Sequence, residues 1–217
     1  MKTGLNPDKH KAPSTIKRSS AAVLLAGLSL SAALIVQGTA AEEKTAGSKK
    51  TEAKDAGAKP KVSLELADWK ETQQLVAAHK GKVVVLDAWS TSCTPCMKEF
   101  PNLVKLHHKY GGTGLVCMSL SSDYQGIKNK PAEFYRERVL RFLVKQEASF
   151  QNLLASIPAD ELYEQMELAS IPAVFVYGRD GKLVKRFDNE HIKNEAENFT
   201  YADVNKLVEE LLAEKTP

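Results

Sequence analysis

The amino-acid sequence predicts an α/β fold in which helices cover the strands of one central sheet. An apolar, β-branched run at residues 83–89 leads into a Cys-x-x-Cys pair at the start of a helix over about 93–110. A second apolar run, at 115–120, follows the glycines that end this helix. The stretch 170–177 contains a third strand, and a Gly-Arg-Asp-Gly turn then leads to an antiparallel strand at 182–187. Strands alternating with helices are typical of a layered α/β domain.

The remaining segments fit around these strands. Asp68 can cap a helix that precedes the first strand. The region 123–170 begins as an irregular loop and continues with apolar residues at helical spacing, followed by a short helix over about 158–169. Thr200 and Asp203 can form a capping box for a last helix, whose apolar residues make one stripe. We therefore expect the chain to end in a helix that packs on the core.

Composition divides the chain into three parts. Residues 1–40 place Lys and Arg ahead of an apolar run and small residues after it, which is the pattern of a signal peptide or N-terminal anchor. Residues 41–61 contain no aromatic residue and mix both charges, so they predict a flexible linker. Residues 62–217 have the composition of a globular domain.

The net charge and the signal pattern limit the possible partners and location of the protein. Residues 1–40 hold five of the 30 Lys and Arg but one of the 27 Asp and Glu, so the remainder carries a net charge of −1 and indicates no nucleic-acid partner. The signal predicts export, to the periplasm or the outer face of the cytoplasmic membrane. The apolar run is shorter than the roughly 20 residues of a membrane span, so cleavage near Ala40 or Ala41 is expected, with a retained membrane tether as the alternative.

The Cys-Thr-Pro-Cys pair is the candidate reactive site. Two cysteines on the first turn of a helix can close a small disulfide, and the unpaired N–H groups there stabilise a thiolate on the first cysteine. Cys93 is therefore the candidate attacking sulfur, and Cys96 would resolve the mixed disulfide that Cys93 forms with a partner. Pro95 suits the first helical turn, where its missing N–H removes no hydrogen bond.

This segment resembles the active-site region of the thioredoxin superfamily, and Cys-Met-Lys-Glu-Phe-Pro is most similar to the exported TlpA/ResA-like thioredoxins. The resemblance implies that Asp87 is a buried carboxylate that takes a proton from Cys96. Trp89 matches an aromatic residue packed beneath the active site, and Glu99 matches an acidic residue near it. The resemblance also implies a thioredoxin-like fold, with a central mixed β-sheet flanked by helices and a helical insertion before the strand that follows Pro172.

The second anchor of the resemblance is Ile171-Pro172. In the superfamily this proline is cis and lies beside the cysteine pair, which implies that Pro172 faces Cys93 and that the Ile171 backbone pairs with an extended substrate. A trans proline at a strand start is the alternative. The catalytic candidates are Cys93, Cys96, Asp87, Pro172 and Glu99. The substrate-binding candidates are Trp89, Thr94, Pro95 and Ile171.

The favoured hypothesis is an exported thiol–disulfide oxidoreductase that acts on protein cysteines, as a reductant supplied by a membrane thiol–disulfide electron donor. Relatives of the resembled group act mostly in that direction. A non-catalytic binding module with a structural disulfide remains the alternative.

No cofactor or metal is expected, because Met97 replaces the His of a haem-attachment motif and because His107 and His108 are poorly placed to complete a zinc site. A peroxide-reducing enzyme is disfavoured, since Leu86 and Ser90 stand where peroxiredoxins carry Pro and Thr.

Overall fold

The computed structural model describes residues 61–190, 194 and 197–214. These residues form six strands, which are β1 (Glu65–Ala67), β2 (Val83–Trp89), β3 (Leu115–Ser121), β4 (Gln151–Ala155), β5 (Ala173–Tyr177) and β6 (Leu183–Phe187). They also form five helices, which are α1 (Trp69–Ala78), α2 (Thr94–Tyr110), α3 (Ala132–Lys145), α4 (Ala159–Met166) and α5 (Tyr201–Ala213).

The strands form one mixed sheet in the order β1-β4-β3-β2-β5-β6. The four strands from β1 to β2 are parallel to their neighbours, whereas β5 runs antiparallel to β2 and β6 antiparallel to β5. Helices α2, α3 and α5 cover one face, where they share a core with Val83, Val85 and Trp89. Helices α1 and α4 cover the other face. The predicted fold class is therefore confirmed.

Strand β2 lies in the middle of the sheet because its sequence is apolar on both faces. All seven of its residues are buried, as expected for a strand covered by helices on both sides. Its side chains alternate between the two cores, so Asp87 points to the same side as Val85 and Trp89. This is the side that α2 covers.

Local capping signals set the helix starts as predicted. Asp68 caps α1 in a reciprocal capping box with Glu71, and Thr200 caps α5 with Asp203. The short helix α4 ends at Met166, earlier than predicted, because Glu167 adopts a left-handed conformation with φ of 53°. Strand β1 was not predicted, since three residues carry too little periodicity to be recognised.

The predicted signal or anchor at residues 1–40 lies outside the part of the chain that the structure describes, as does the predicted linker at 41–61 apart from Lys61. Both remain predictions. No helix among the described residues is long and apolar enough to span a bilayer.

The core under α2 predicts a large difference between two phenylalanines. Phe100 has no exposed surface, whereas Phe134 on α3 is 59% exposed. We expect Phe100→Ala to lower the free energy of unfolding by about 3 to 5 kcal/mol, because it leaves a cavity against Trp89. The matched Phe134→Ala should change it by about 0.5 kcal/mol or less. Urea denaturation of both oxidised variants measures this, and equal losses would contradict the packing described here.

Candidate active site

The two cysteines lie at the start of helix α2 and form a disulfide with an S–S distance of 2.03 Å. Cys93 is the N-cap residue, and its Sγ accepts a hydrogen bond of 3.2 Å from the backbone N–H of Cys96. Cys93 is partly exposed, while Cys96 is 3% exposed. Unpaired N–H groups and the helix dipole favour negative charge at this position. The outer sulfur thus belongs to the more accessible cysteine, and its role as the attacking sulfur stays a prediction.

The loop before β5 approaches the outer cysteine. The Ile171–Pro172 peptide bond is cis, as the resemblance implied, and the carbonyl oxygen of Ile171 lies 3.9 Å from Cys93 Sγ. Both residues are half-buried, so part of their surface faces solvent beside the disulfide. The structure therefore brings Pro172 and Ile171 to the cysteine pair, and their roles toward a substrate stay predictions.

A charged pair on the neighbouring segment holds this loop. Glu190 accepts a hydrogen bond of 2.6 Å from the backbone N–H of Ala169, and Arg186 donates one of 2.8 Å to the carbonyl oxygen of Glu167. Arg186 and Glu190 also form an ion pair at 3.3 Å. Neither residue was singled out from the sequence, because such a contact depends on how β6 returns beside the loop.

Asp87 is a buried carboxyl on the face of β2 that α2 covers. Its side chain is almost fully enclosed, with the residue 4% exposed, and Tyr201 donates a hydrogen bond to Oδ2. Burial raises the pKa of Asp87 from 3.8 to about 7; the Tyr201 hydrogen bond opposes this rise, and the negative charge of Glu99 adds to it. At neutral pH this carboxyl can therefore both hold and release a proton.

Glu99 lies on α2 one turn beyond Cys96 and is half-buried. Its Oε2 accepts a hydrogen bond of 3.0 Å from the side chain of Asn102. Its negative charge adds to the rise in the pKa of Asp87, so the two carboxyl groups lie within electrostatic range of each other. Glu99 thus belongs to the site by position, and its influence on the thiols stays a prediction.

Trp89 requires a correction. It was expected to bind substrate, but its side chain has no exposed surface. The indole packs on Phe100 and Phe142, with ring centroids 4.7 and 4.8 Å away. Phe142 of helix α3 and Phe100 of helix α2 cover the ring, so a substrate cannot reach it. Trp89 therefore supports the site from beneath, whereas Thr94 and Pro95 are exposed at its surface.

Asp123 was missed in the sequence, although it organises the loop that precedes Cys93. Its carboxylate is fully buried and accepts hydrogen bonds from the backbone N–H of Thr91 at 2.9 Å, from the Thr91 hydroxyl and from Ser121 Oγ at 2.7 Å. The guanidinium of Arg138 on α3 completes the group, with its Nη2 atom 2.5 Å from Asp123 Oδ1. Strands β2 and β3 are parallel neighbours, so the loops that follow them meet at one edge of the sheet.

Tyr201 is the second residue that the sequence did not reveal. It is the first residue of α5, 114 positions from Asp87, and no local pattern links the two. Burial and the nearby Asp87 raise the pKa of Tyr201 well above its usual value, so its hydroxyl keeps its proton and acts as a donor.

The third cysteine, Cys117, is free and buried on β3. Burial raises the pKa of its thiol, which leaves it protonated and unreactive. In the described parts of the chain, no group of three or more His, Cys, Asp and Glu side chains could hold a metal ion.

The fold and the helix-borne cysteine pair define a protein of the thioredoxin superfamily. Residues 52–203 match the model of the Redoxin family, and the chain belongs to that family. It is 29% identical over 120 residues to the thiol-disulfide oxidoreductase ResA of Bacillus thuringiensis subsp. konkukian. The aligned region covers 55% of this chain and 62% of that protein. It is also 28% identical over 108 residues to ResA of Bacillus subtilis, and this aligned region covers 49% of this chain and 52% of that protein.

Among solved structures, a thiol-disulfide isomerase from Corynebacterium glutamicum superposes with a TM-score of 0.52. The match has 18% sequence identity and covers 72% of this chain and 98% of that one. At this identity the likeness establishes the shared fold. The chain spans 62% of the length of the first ResA relative that it matches.

The raised pKa of Asp87 predicts that ionisation of this residue opposes folding. Between pH 3.8 and about 7 the unfolded state releases the proton that the folded state retains, so stability falls as pH rises, by about 4 kcal/mol in total. In Asp87→Asn this contribution is absent. Denaturation of both oxidised proteins at several pH values from 4 to 8 measures the difference between them, which should grow with pH in favour of the variant. Parallel curves would contradict the burial of an ionisable carboxyl.

Proposed function

We propose that the protein is a thiol–disulfide oxidoreductase of the cell envelope that exchanges disulfides with protein cysteines and acts as a reductant. The observation that carries this proposal is the Cys93–Cys96 disulfide at the N-terminus of α2, with the outer sulfur accessible and the inner one buried. A disulfide with only a structural role does not need one accessible sulfur facing the loop of Ile171 and Pro172. The thiol-disulfide oxidoreductases among the relatives support the same activity.

The reaction proceeds in two exchanges. In the reduced protein, the Cys93 thiolate attacks one sulfur of a client disulfide, forms a Cys93–client bond and releases the other client sulfur as a thiolate. Cys96 then loses its proton and attacks Cys93 Sγ. This step forms the Cys93–Cys96 bond that the structure contains and releases the second client thiolate. Two electrons pass to the client disulfide, which becomes two thiols.

The buried Cys96 needs a proton acceptor before it can attack, because water has little access to it. Asp87 lies on the strand face that α2 covers and within electrostatic range of Glu99, one turn from Cys96. A carboxyl with a pKa of about 7 is suited to take a proton from a thiol near neutral pH. Asp87 is therefore the general base of the second exchange.

Two acidic side chains near the pair support a reducing role, in opposition to the N–H groups at the start of α2 that stabilise a thiolate. Asp87 and Glu99 are both acidic, and the residues between the cysteines are neutral. Negative charge near a thiolate raises the free energy of the reduced form. A couple whose reduced form is destabilised transfers its electrons to clients readily, which supports a reducing role.

A reductant outside the cytoplasm needs a source of electrons, because each turnover leaves Cys93 and Cys96 oxidised. A membrane protein with its own dithiol fits this role. The envelope location rests on the signal-like sequence of residues 1–40, which also allows a membrane tether.

Three cysteine variants test the proposal. We expect Cys93→Ser to abolish reduction of an oxidised protein substrate such as insulin, and Cys96→Ser to accumulate a mixed disulfide because the second attack is lost. Cys117→Ala is the matched control, since this buried thiol is outside the reactive pair, and it should retain the exchange rate within about twofold. Turnover and trapped adducts are followed by mass spectrometry after alkylation.

Two outcomes would contradict the proposal. A Cys96→Ser protein that traps no partner would remove the two-step exchange. Partner binding that survives alkylation of both Cys93 and Cys96, without any disulfide exchange by the unmodified protein, would favour a binding module with a structural disulfide.

A further inference from the structure

We propose that Tyr201 is a positioning residue for the redox reaction, because its hydroxyl is the hydrogen-bond donor that holds the Asp87 carboxylate ready to accept the Cys96 proton. This inference rests on the proposed function. The donor and the acceptor are both buried, at 3% and 4% exposure, and the hydrogen bond joins the tyrosine hydroxyl to Asp87 Oδ2. Tyr201 is too deeply buried to touch a client, so it acts through Asp87.

The fold fixes the tyrosine by the start of α5. Tyr201 follows the capping residue Thr200 directly, and Thr200 is tied to Asp203 by hydrogen bonds of 2.8 Å from its backbone N–H and 2.9 Å from its hydroxyl. The backbone N–H of Phe199 donates to the side chain of Asn189 at 3.1 Å, which holds the chain just before the cap. Helix α5 packs on β2, so a capped first turn leaves the hydroxyl directed at Asp87.

Burial and the charge of Glu99 both oppose the ionised form of Asp87. Glu99 reaches it from α2 with a negative charge, and Cys117 on β3 is a neutral thiol whose own ionisation Asp87 disfavours. Burial itself disfavours the carboxylate. In the described part of the chain, Tyr201 is the hydrogen-bond donor found for this carboxyl. The ionised Asp87 that the reaction requires therefore depends on the tyrosine hydroxyl.

The Tyr201–Asp87 hydrogen bond affects the second exchange through the proton that Asp87 accepts from Cys96. The Asp87 carboxylate takes the proton of the Cys96 thiol and becomes neutral, and the Cys96 thiolate displaces the client sulfur from Cys93. The client leaves as a thiolate and takes up a proton from water, while Asp87 returns its proton to water. Without the Tyr201 hydroxyl, a smaller fraction of Asp87 is ionised at a given pH, so this exchange slows while the first exchange does not.

The test compares Tyr201→Phe with Tyr135→Phe. Both remove a buried hydroxyl from the same core, but the Tyr135 hydroxyl has no hydrogen-bond partner among the described residues. The reduced full-length protein is mixed with oxidised glutathione at several pH values, quenched and alkylated, so that mass spectrometry follows formation and loss of the glutathione adduct on Cys93. Loss of the adduct reports the attack by Cys96.

For Tyr201→Phe we expect the midpoint of the pH profile of adduct loss to rise by about one pH unit, which slows this step about fivefold at pH 7. Adduct formation should be unchanged. Tyr135→Phe should keep the wild-type profile in both steps. In an Asp87→Asn background, Tyr201→Phe should have no further effect on the pH dependence, because the group that it tunes is gone.

The possible outcomes distinguish a failure of the Tyr201 role from a failure of the proposed function. A wild-type midpoint in a folded Tyr201→Phe protein, or the same shift in Tyr135→Phe, overturns the role of Tyr201. Absence of any adduct exchange in the wild-type protein overturns the proposed function instead. If Tyr201→Phe does not fold, Thr200→Ala keeps the tyrosine and weakens its cap. A smaller shift in the same direction supports the proposal, and an unshifted profile overturns it.

Discussion

Burial of the Asp87 carboxyl is the constraint on which the site depends. An ionisable group on the central strand is tolerated because Tyr201 donates to it, yet its burial still brings its pKa to about 7. Two helices meet over this point: α2 carries the cysteines and Glu99, and α5 begins with the tyrosine. A buried group that lowers stability when it ionises is a candidate for a functional role, and we propose that Asp87 exchanges a proton with Cys96.

The sheet gathers the rest of the site at the ends of its strands. The loop after β2 delivers Cys93, and the residue that anchors this loop, Asp123, follows the parallel strand β3. The antiparallel β5 starts at the same edge and brings Ile171 next to the outer sulfur. Helix α3 of the inserted region contributes Arg138 to the anchor and Phe142 to the packing on Trp89. The insertion is thus part of the support of the cysteine pair.

Local chemistry explains which features the sequence could predict. Strand β2, helix α2, the Asp68 cap of α1 and the Thr200–Asp203 capping box of α5 depend on neighbouring residues, and the structure confirms them. The contacts of Asp87 with Tyr201 and of Asp123 with Thr91 join residues 114 and 32 positions apart, so no local pattern encodes them. Substrate binding by Trp89 was a wrong prediction for the same reason, because one of the rings that cover it comes from the distant α3.

The reduction potential of the Cys93–Cys96 couple tests the central claim most directly, which is that a dithiol in acidic surroundings cycles as a reductant. The protein is equilibrated in dithiothreitol or glutathione buffers of known potential at pH 7, and its free thiols are trapped and counted. The account predicts a value near or below that of thioredoxin, about −270 mV. A value near −120 mV, as in a strong periplasmic oxidant, would contradict it, as would a pair that does not cycle at all.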